Sequence, residues 1–231
     1  MRGKGLLAVD CSLRLTGVAL VEPLTGAPME GGGRVVASEC LDLGRRQAAE
    51  LPLMAGRLVE GAGWSWTDVG LVAVTSGPGY FTGIRVGAAW ASALAYGLEA
   101  KVIPVPSLEM LAASSPRYGA DGGVLAIVYA GRSSVYAASF GCCGALEPGE
   151  YGGEALAGWL ASHEGAAVVS DDPQRAAGAV GPNALSRVPI AGVRPDVSRL
   201  ASLAWARRGA AIHPFELRVT YCRAPQTGRS G

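Results

Sequence analysis

The chain has 231 residues, of which 49% are hydrophobic, with 20 basic and 19 acidic side chains that leave a net charge of +1. This is long enough for one large domain or two small ones with cores of their own, and apolar enough to be globular. The balanced, scattered charge gives no basis for direct nucleic-acid binding, so any role on RNA is expected to be indirect.

Only Lys4 and Lys101 of the basic residues are lysines, which together with the abundance of Gly and Ala reads as coding bias rather than function. The five cysteines, Cys11, Cys40, Cys142, Cys143 and Cys222, are odd in number and lack Cys-x-x-Cys spacing. Reduced thiols in a cytosol, packed as small hydrophobes, are the expectation. The apolar run after the basic residues 1–5 is cut by Asp10, too early for a signal peptide, and no stretch approaches the length of a membrane span. A cytoplasmic location follows as an expectation.

In chain order, residues 6–9 form an apolar strand ending at Asp10, residues 11–16 a turn, and residues 17–21 a second strand, which together read as a hairpin. A carboxylate at a strand tip followed by Ser12 and Thr16 can hold a metal-bound phosphate, or can cap its own turn through the backbone. Residues 22–33 are a Pro- and Gly-rich loop and 35–43 a third strand. In 45–61, Leu51, Met54 and Leu58 follow helical spacing, and Pro52 makes the helix kink or start nearby. Trp64 and Trp66, in the connection that follows, read as core or lid.

The most informative stretch is residues 71–97. An apolar β-branched run, 71–75, breaks at Gly77-Pro78-Gly79 and continues as a helix that stops at Gly97. Gly83, Gly87, Ala91 and Ala95 recur every four residues, so one side of this helix is nearly bare and another backbone can approach it. Each interior glycine costs about 1 kcal/mol relative to alanine, so the stripe needs a packing reason, either inside the domain or against another chain. Val86, Trp90 and Leu94 supply a bulkier apolar side. The glycine turn also resembles a phosphate loop, but it lacks the Gly-Lys-Ser/Thr ending and Arg85 is its only nearby cation, so a structural turn is the preferred reading.

Residues 101–105 are a strand, and 104–107 mark a boundary where Ser107 is placed to cap a helix over 108–113. A second unit then opens with a strand over 124–129, a turn at 131–133 and a strand over 134–140. A helix over 154–162, a strand over 166–170 and a short helix over 173–179 capped by Asp172 follow. Residues 182–195 are loop around a short strand at 187–190, and Ser198 caps a last helix that runs to Arg207 and Arg208. Two units that each begin with a hairpin suggest a duplicated fold. His163 and His213 are the only histidines; no His-x-x-x-His, Cys-His cluster or paired-carboxylate spacing points to zinc or iron, and no Gly-x-Ser-x-Gly elbow supports a hydrolase triad.

Four of these stretches resemble a known family. LLAVDCSLRLTGVAL, VTSGPGYFTGIRVGAAWASALAYG followed by PVPSLEMLA, VLAIVYAGRSSVYAASF and the terminal PFELR are similar to the TsaB (YeaZ) family of bacterial tRNA threonylcarbamoyladenosine biosynthesis proteins, collinearly over 6–218. The resemblance implies an α/β, actin-like ATPase-domain fold of the sugar kinase and heat-shock superfamily, in two duplicated subdomains with mixed sheets. Its divisions would be an N-terminal subdomain, 1–105, a C-terminal subdomain, 106–197, a helical segment, 198–218, packing back on the first subdomain, and a tail, 219–231.

The same resemblance implies a non-catalytic relative of TsaD, the transferase that carries the His-x-x-x-His metal site and modifies the anticodon-adjacent adenosine. The implied partners are a TsaD-like protein in a heterodimer and a TsaE-like ATPase, with a homodimer when the chain is alone. Pairing is expected through the helices over 45–61 and 82–97, with Leu51, Met54, Leu58, Thr82, Gly83, Arg85, Val86, Gly87, Trp90 and Ala91 at the interface. Asp10, Ser12 and Thr16 are then a remnant of a nucleotide loop and Gly77, Pro78 and Gly79 a turn. No cofactor or metal is expected in the chain itself; ATP or ADP at the partner interface stays open. The sequence departs from the family where Tyr80 stands for the usual Ser, and at residues 129–136, where the hairpin lacks the usual Asp, Arg and Glu. The alternatives are a nucleotide-binding, kinase-like ATPase using Asp10, a glycoprotease-like peptidase, or a regulator of another partner.

Overall fold

The computed structural model describes residues 4–24, 32–131, 133–141, 145–181 and 188–222. The first strand, β1 (Gly5–Asp10), is wholly buried. It pairs antiparallel with β2 (Thr16–Pro23), in a register that sets Leu6 opposite Val21 and Asp10 opposite Gly17. The partly exposed β3 (Gly33–Leu41) adds antiparallel to β2 at the sheet edge. Helix α1 (Gln47–Gly61), with Pro52 early in it, leads to β4 (Val69–Thr75), which pairs parallel with the other side of β1. Helix α2 (Phe81–Gly97) then crosses to β5 (Lys101–Val105), parallel to β4, and α3 (Ser107–Ala113) follows. The sheet order is β3-β2-β1-β4-β5.

The second half repeats this plan. Strands β6 (Val124–Gly131) and β7 (Ser134–Phe140) form an antiparallel hairpin, β8 (Gly149–Tyr151) adds to β7, and α4 (Gly153–Ala161) leads to β9 (Ala167–Ser170), parallel to β6. Helix α5 (Pro173–Val180), β10 (Ile190–Gly192), parallel to β9, and α6 (Val197–Ala206) complete it. Read from the edge, β8-β7-β6-β9-β10 matches β3-β2-β1-β4-β5 strand for strand, with a helix at each corresponding place. Of the loops read in the sequence, most of 22–33, the 182–187 part of the penultimate loop and the start of the strand placed at 187–190 lie outside the described residues.

Three apolar clusters stack through the molecule. One lies between the outer face of the first sheet and α1 and α2; a second lies between the second sheet and α4 and α5. The central cluster joins both inner sheet faces through α3 and α6. The closing helices are exchanged: α3 packs on β6 and β7, whereas α6 lies across β1, β2 and β3. Two expected caps differ. Asp196, not Ser198, caps α6 by accepting the Ser198 amide, because a carboxylate before the helix reaches that N–H directly. Ser107 is the first residue of α3, and its hydroxyl instead accepts the Gly77 amide at 3.0 Å.

After α6 the chain returns over the first lobe. Ile212 bridges to Val102, and the Thr220 amide donates to the Ser76 carbonyl at 2.7 Å. Among the described residues no helix is long and apolar enough to cross a membrane. Cys11, Cys40 and Cys222 are free thiols; Cys142 and Cys143 lie outside the described residues.

Candidate functional site

Duplication places the β1–β2 turn of the first lobe beside the end of β9 in the second, so the tip of β1 is where a cleft site would form. Asp10 is there, only 2% exposed. The Ser12 amide and hydroxyl donate to its Oδ1 at 2.8 and 2.7 Å, and the Thr75 hydroxyl at 2.7 Å. Burial pushes its pKa up, and these three donors pull it partly back. Thr16 Oγ1 accepts from the Gln47 amide group at 3.0 Å, which ties the turn to the start of α1. Asp10, Ser12 and Thr16 are thus brought together, with these hydrogen bonds made inside the fold, which is the turn-capping alternative.

The Gly77-Pro78-Gly79 turn is similarly committed. Gly77, at φ +94°, needs glycine, and its carbonyl accepts the Ser107 amide at 2.9 Å. A Cβ on Gly79 would overlap the Ser12 carbonyl, and that carbonyl also accepts the Tyr80 amide at 2.8 Å. The amides of Gly77 and Tyr80 therefore serve the lobe rather than an anion. Tyr80 lies in the field of Asp171, Arg175, Asp172 and Arg14, and its phenol is pushed up to about 12, chiefly by burial and then by Asp171. Across the cleft the Asp171 carboxylate accepts the Arg14 amide at 3.0 Å, and Arg175 sits 4.0 Å over the Tyr129 ring.

The second candidate surface is the outside of α1 and α2, and here the sequence reading needs correction. Gly83, Gly87 and Ala91 are buried, with Gly83 directly against the Cys11 carbonyl and a Gly87 Cβ position 3.3 Å from Cys11 Cβ. The bare stripe serves packing of this chain on itself. Leu51 and Met54 are 0% exposed, so they too are core. Of the ten interface candidates, Leu58, Thr82, Arg85, Val86 and Trp90 keep surface.

The outward stripe of α2 is instead Thr82, Arg85, Ala89, Ala93 and Tyr96, flanked by the half-buried Val86 and Trp90; on α1, Leu53 is exposed. Ala89, Ala93, Tyr96 and Leu53 are exposed and are not among those ten. Their spacing of three and four residues was visible in the sequence, but small residues beside a glycine stripe look like core. Aromatic pairs frame both ends: Phe81 with Tyr221 at 5.4 Å and Tyr96 with Phe215 at 5.1 Å between ring centroids. Arg85 lies 3.9 Å over Phe81 and donates to the Tyr221 hydroxyl at 3.2 Å.

Two duplicated lobes, each with this sheet order and with exchanged closing helices, define an actin-like ATPase-domain fold. A model of the family described as "TsaD: tRNA N6-adenosine threonylcarbamoyltransferase" matches residues 42–146. The tRNA threonylcarbamoyladenosine biosynthesis protein TsaB of Bacillus subtilis is 30% identical over 131 residues, 57% of this chain and 52% of the relative. That of Haemophilus influenzae is 29% identical over 136 residues, 59% of this chain and 53% of the relative. The matched stretches thus span about half the length of these curated relatives. A Pseudomonas aeruginosa crystal structure, described as similar to peptidase YeaZ, superposes with a TM-score of 0.74 at 25% identity, over 95% of this chain and 100% of that one. These matches support an assignment to the TsaB (YeaZ) family.

Proposed function

We propose that the chain is a non-catalytic adaptor in tRNA threonylcarbamoyladenosine formation. It docks on a TsaD-like transferase and makes that subunit competent, while the transferase carries out the chemistry and contacts the tRNA. The observation that carries this reading is the outward face of α2, where the exposed Ala89 and Ala93 leave a shallow, nearly bare strip beside the half-buried Val86 and Trp90. A helix from another chain can approach such a strip closely, and the exposed Leu53 and Tyr96 extend the apolar area.

Asp10 supports the same reading: a carboxylate buried to 2% exposure and held by three internal donors is poorly placed to hold a metal-bound phosphate. With no partner present, the same face pairs two copies of the chain. A TsaE-like ATPase joins as a third component, nucleotide, if bound, sits at the partner interface, and the complex works in the cytoplasm. The lobes correspond to 1–105 and 106–197, with 198–218 returning to the first.

The test is sedimentation of the purified chain with the TsaD-like protein of the same genome, followed by a threonylcarbamoyl-transfer assay on the mixture. A one-to-one complex, active only with both chains and lost in Ala89→Arg while the monomer still melts cooperatively, is the expected result. Undiminished association of Ala89→Arg and Ala93→Arg would remove α2 from the interface, and activity of the transferase alone would remove the adaptor role.

A further inference from the structure

The outward face of α2 continues onto the chain that returns beside it. Residues 212–222 are pinned at three points: Ile212 bridges to Val102, the Ser92 hydroxyl donates to the Pro214 carbonyl at 3.2 Å, and the Thr220 amide donates to the Ser76 carbonyl. This pinning stands an aromatic pair at each end of the helix, Phe81 with Tyr221 and Tyr96 with Phe215. All four rings are exposed, Tyr96 to 61% and Phe215 to 67%. Along the axis of a regular helix Phe81 and Tyr96 are about 22 Å apart, room for about four turns of a partner helix.

Arg85 is the one charged residue of α2. Its guanidinium lies 3.9 Å over the Phe81 ring and 5.8 Å from the centroid of Tyr221, and Nε donates to the Tyr221 hydroxyl at 3.2 Å. Among the described residues no carboxylate pairs with it. Two rings and a hydroxyl thus hold a cation at the surface without neutralising it. The rotamer freedom that an exposed arginine surrenders on binding is largely given up before any partner arrives.

We propose that α2 and residues 212–222 form one docking surface, on which the transferase-like subunit presents a carboxylate to Arg85 and an apolar side chain to the Tyr96–Phe215 pair. This rests on the docking of α2 proposed above and names the chemistry that makes it selective. A carboxylate fits because the planar guanidinium can give it charge-assisted hydrogen bonds, and the flanking rings shield that pair from water. Arginine and aromatic side chains are also the residues that most often anchor such interfaces. A second copy of this chain offers less. Its α2 contains no acidic residue, and Glu216, the acidic residue of 212–222, already accepts the His213 amide at 3.0 Å. The charge therefore selects the other subunit over self-association.

The experiment is a calorimetric titration of the full chain with the TsaD-like protein of the same genome, at low and high salt, for the parent, Arg85→Gln, Arg85→Lys, Phe215→Ala and Ala89→Arg. Arg85→Gln should lose about 10-fold in affinity and much of the salt dependence, Arg85→Lys should recover only part of it, and Phe215→Ala should lose about 10-fold. Melting curves of the variants check that they fold. A parent chain that does not bind removes the docking reading and this proposal with it. Binding that is lost in Ala89→Arg but unchanged in Arg85→Gln or in Phe215→Ala overturns this proposal and leaves the docking reading standing. An equal loss for Arg85→Gln in the self-association of the chain, measured by sedimentation, would place the carboxylate on a second copy and overturn it. Unchanged affinity of Arg85→Gln for the subunit, with about 10-fold weaker retention of tRNA by the complex, would assign Arg85 to a phosphate and overturn it as well.

Discussion

Gly83 on α2 lies so close to the Cys11 carbonyl at the start of the β1–β2 turn that a methyl group at position 83 would overlap the oxygen. The obstacle is backbone, which cannot swing aside as a side chain would. Gly83→Ala should therefore destabilise the protein by about 2 kcal/mol or more, even after the gain of about 1 kcal/mol in helix propensity. At this chain length that is a fall of about 4–8 °C in Tm. Gly87→Ala meets only Cys11 Cβ, at 3.3 Å, and should cost less. Thermal melts of the two variants decide the matter; a Gly83→Ala protein as stable as the parent would show that α2 is not seated on Cys11.

Asp171 gives stability a pH dependence. Its carboxyl is pushed up to about 6, mainly by burial, with Arg14's amide opposing and Asp10 and Asp172 reinforcing the rise. A pKa raised on folding means that the folded state favours the protonated acid. Its contribution is fully present below the unfolded value near 4 and is lost as pH rises through about 6. Asp171→Asn, which cannot ionise, should therefore be more stable than the parent at pH 8, by up to about 3 kcal/mol, with the difference vanishing near pH 4. Denaturant titrations at the two pH values measure this. A variant less stable at pH 8 would mean that the Arg14 amide favours the ionised carboxylate by more than its burial costs.

The fold was largely legible because its local signals agree with its global plan. Apolar runs ending at Asp10 and Thr75, the break at Gly77-Pro78-Gly79, and two hairpins opening two units specify the strands and hint at the duplication. The orientation of α2 was not legible. Period fixes the angle between the Gly83–Gly87–Ala91 and Ala89–Ala93 stripes, but both are small and apolar, and only the position of Cys11 decides which turns inward. The contact across the cleft was still less accessible to sequence reasoning, since Arg14 and Asp171 stand 157 positions apart and nothing local marks them as neighbours.

The Glu109–Arg207 pair should act as a clasp between the two exchanged helices. Arg207 Nη1 donates to Glu109 Oε2 at 2.8 Å, with a second contact from Nη2 to Oε1, and the Glu109 side chain is 11% exposed. Glu109→Gln retains one acceptor and removes the charge, whereas Arg207→Ala leaves a largely buried carboxylate without its guanidinium. The second change should cost more, about 2–3 kcal/mol against about 1 kcal/mol. Chemical denaturation of both variants checks the order, and equal losses would show that the charge itself contributes nothing.

Asp10 separates the adaptor reading from the kinase-like one. Its Oδ1 collects the Ser12 amide, the Ser12 hydroxyl and the Thr75 hydroxyl, and burial makes its ionised form unfavourable. Asp10→Asn keeps an oxygen for these donors and removes the ionisation, so the variant should melt at or above the parent temperature at pH 8. Asp10→Ala strands the donors and should lose about 3 kcal/mol. In a mixture with the TsaD-like subunit, Asp10→Asn should support threonylcarbamoyl transfer within about threefold of the parent, because a carboxylate acting only as a turn cap carries no step of catalysis. A loss of several orders of magnitude in Asp10→Asn, with association and melting intact, would mean that the carboxylate works on a nucleotide and that the chain is an enzyme after all.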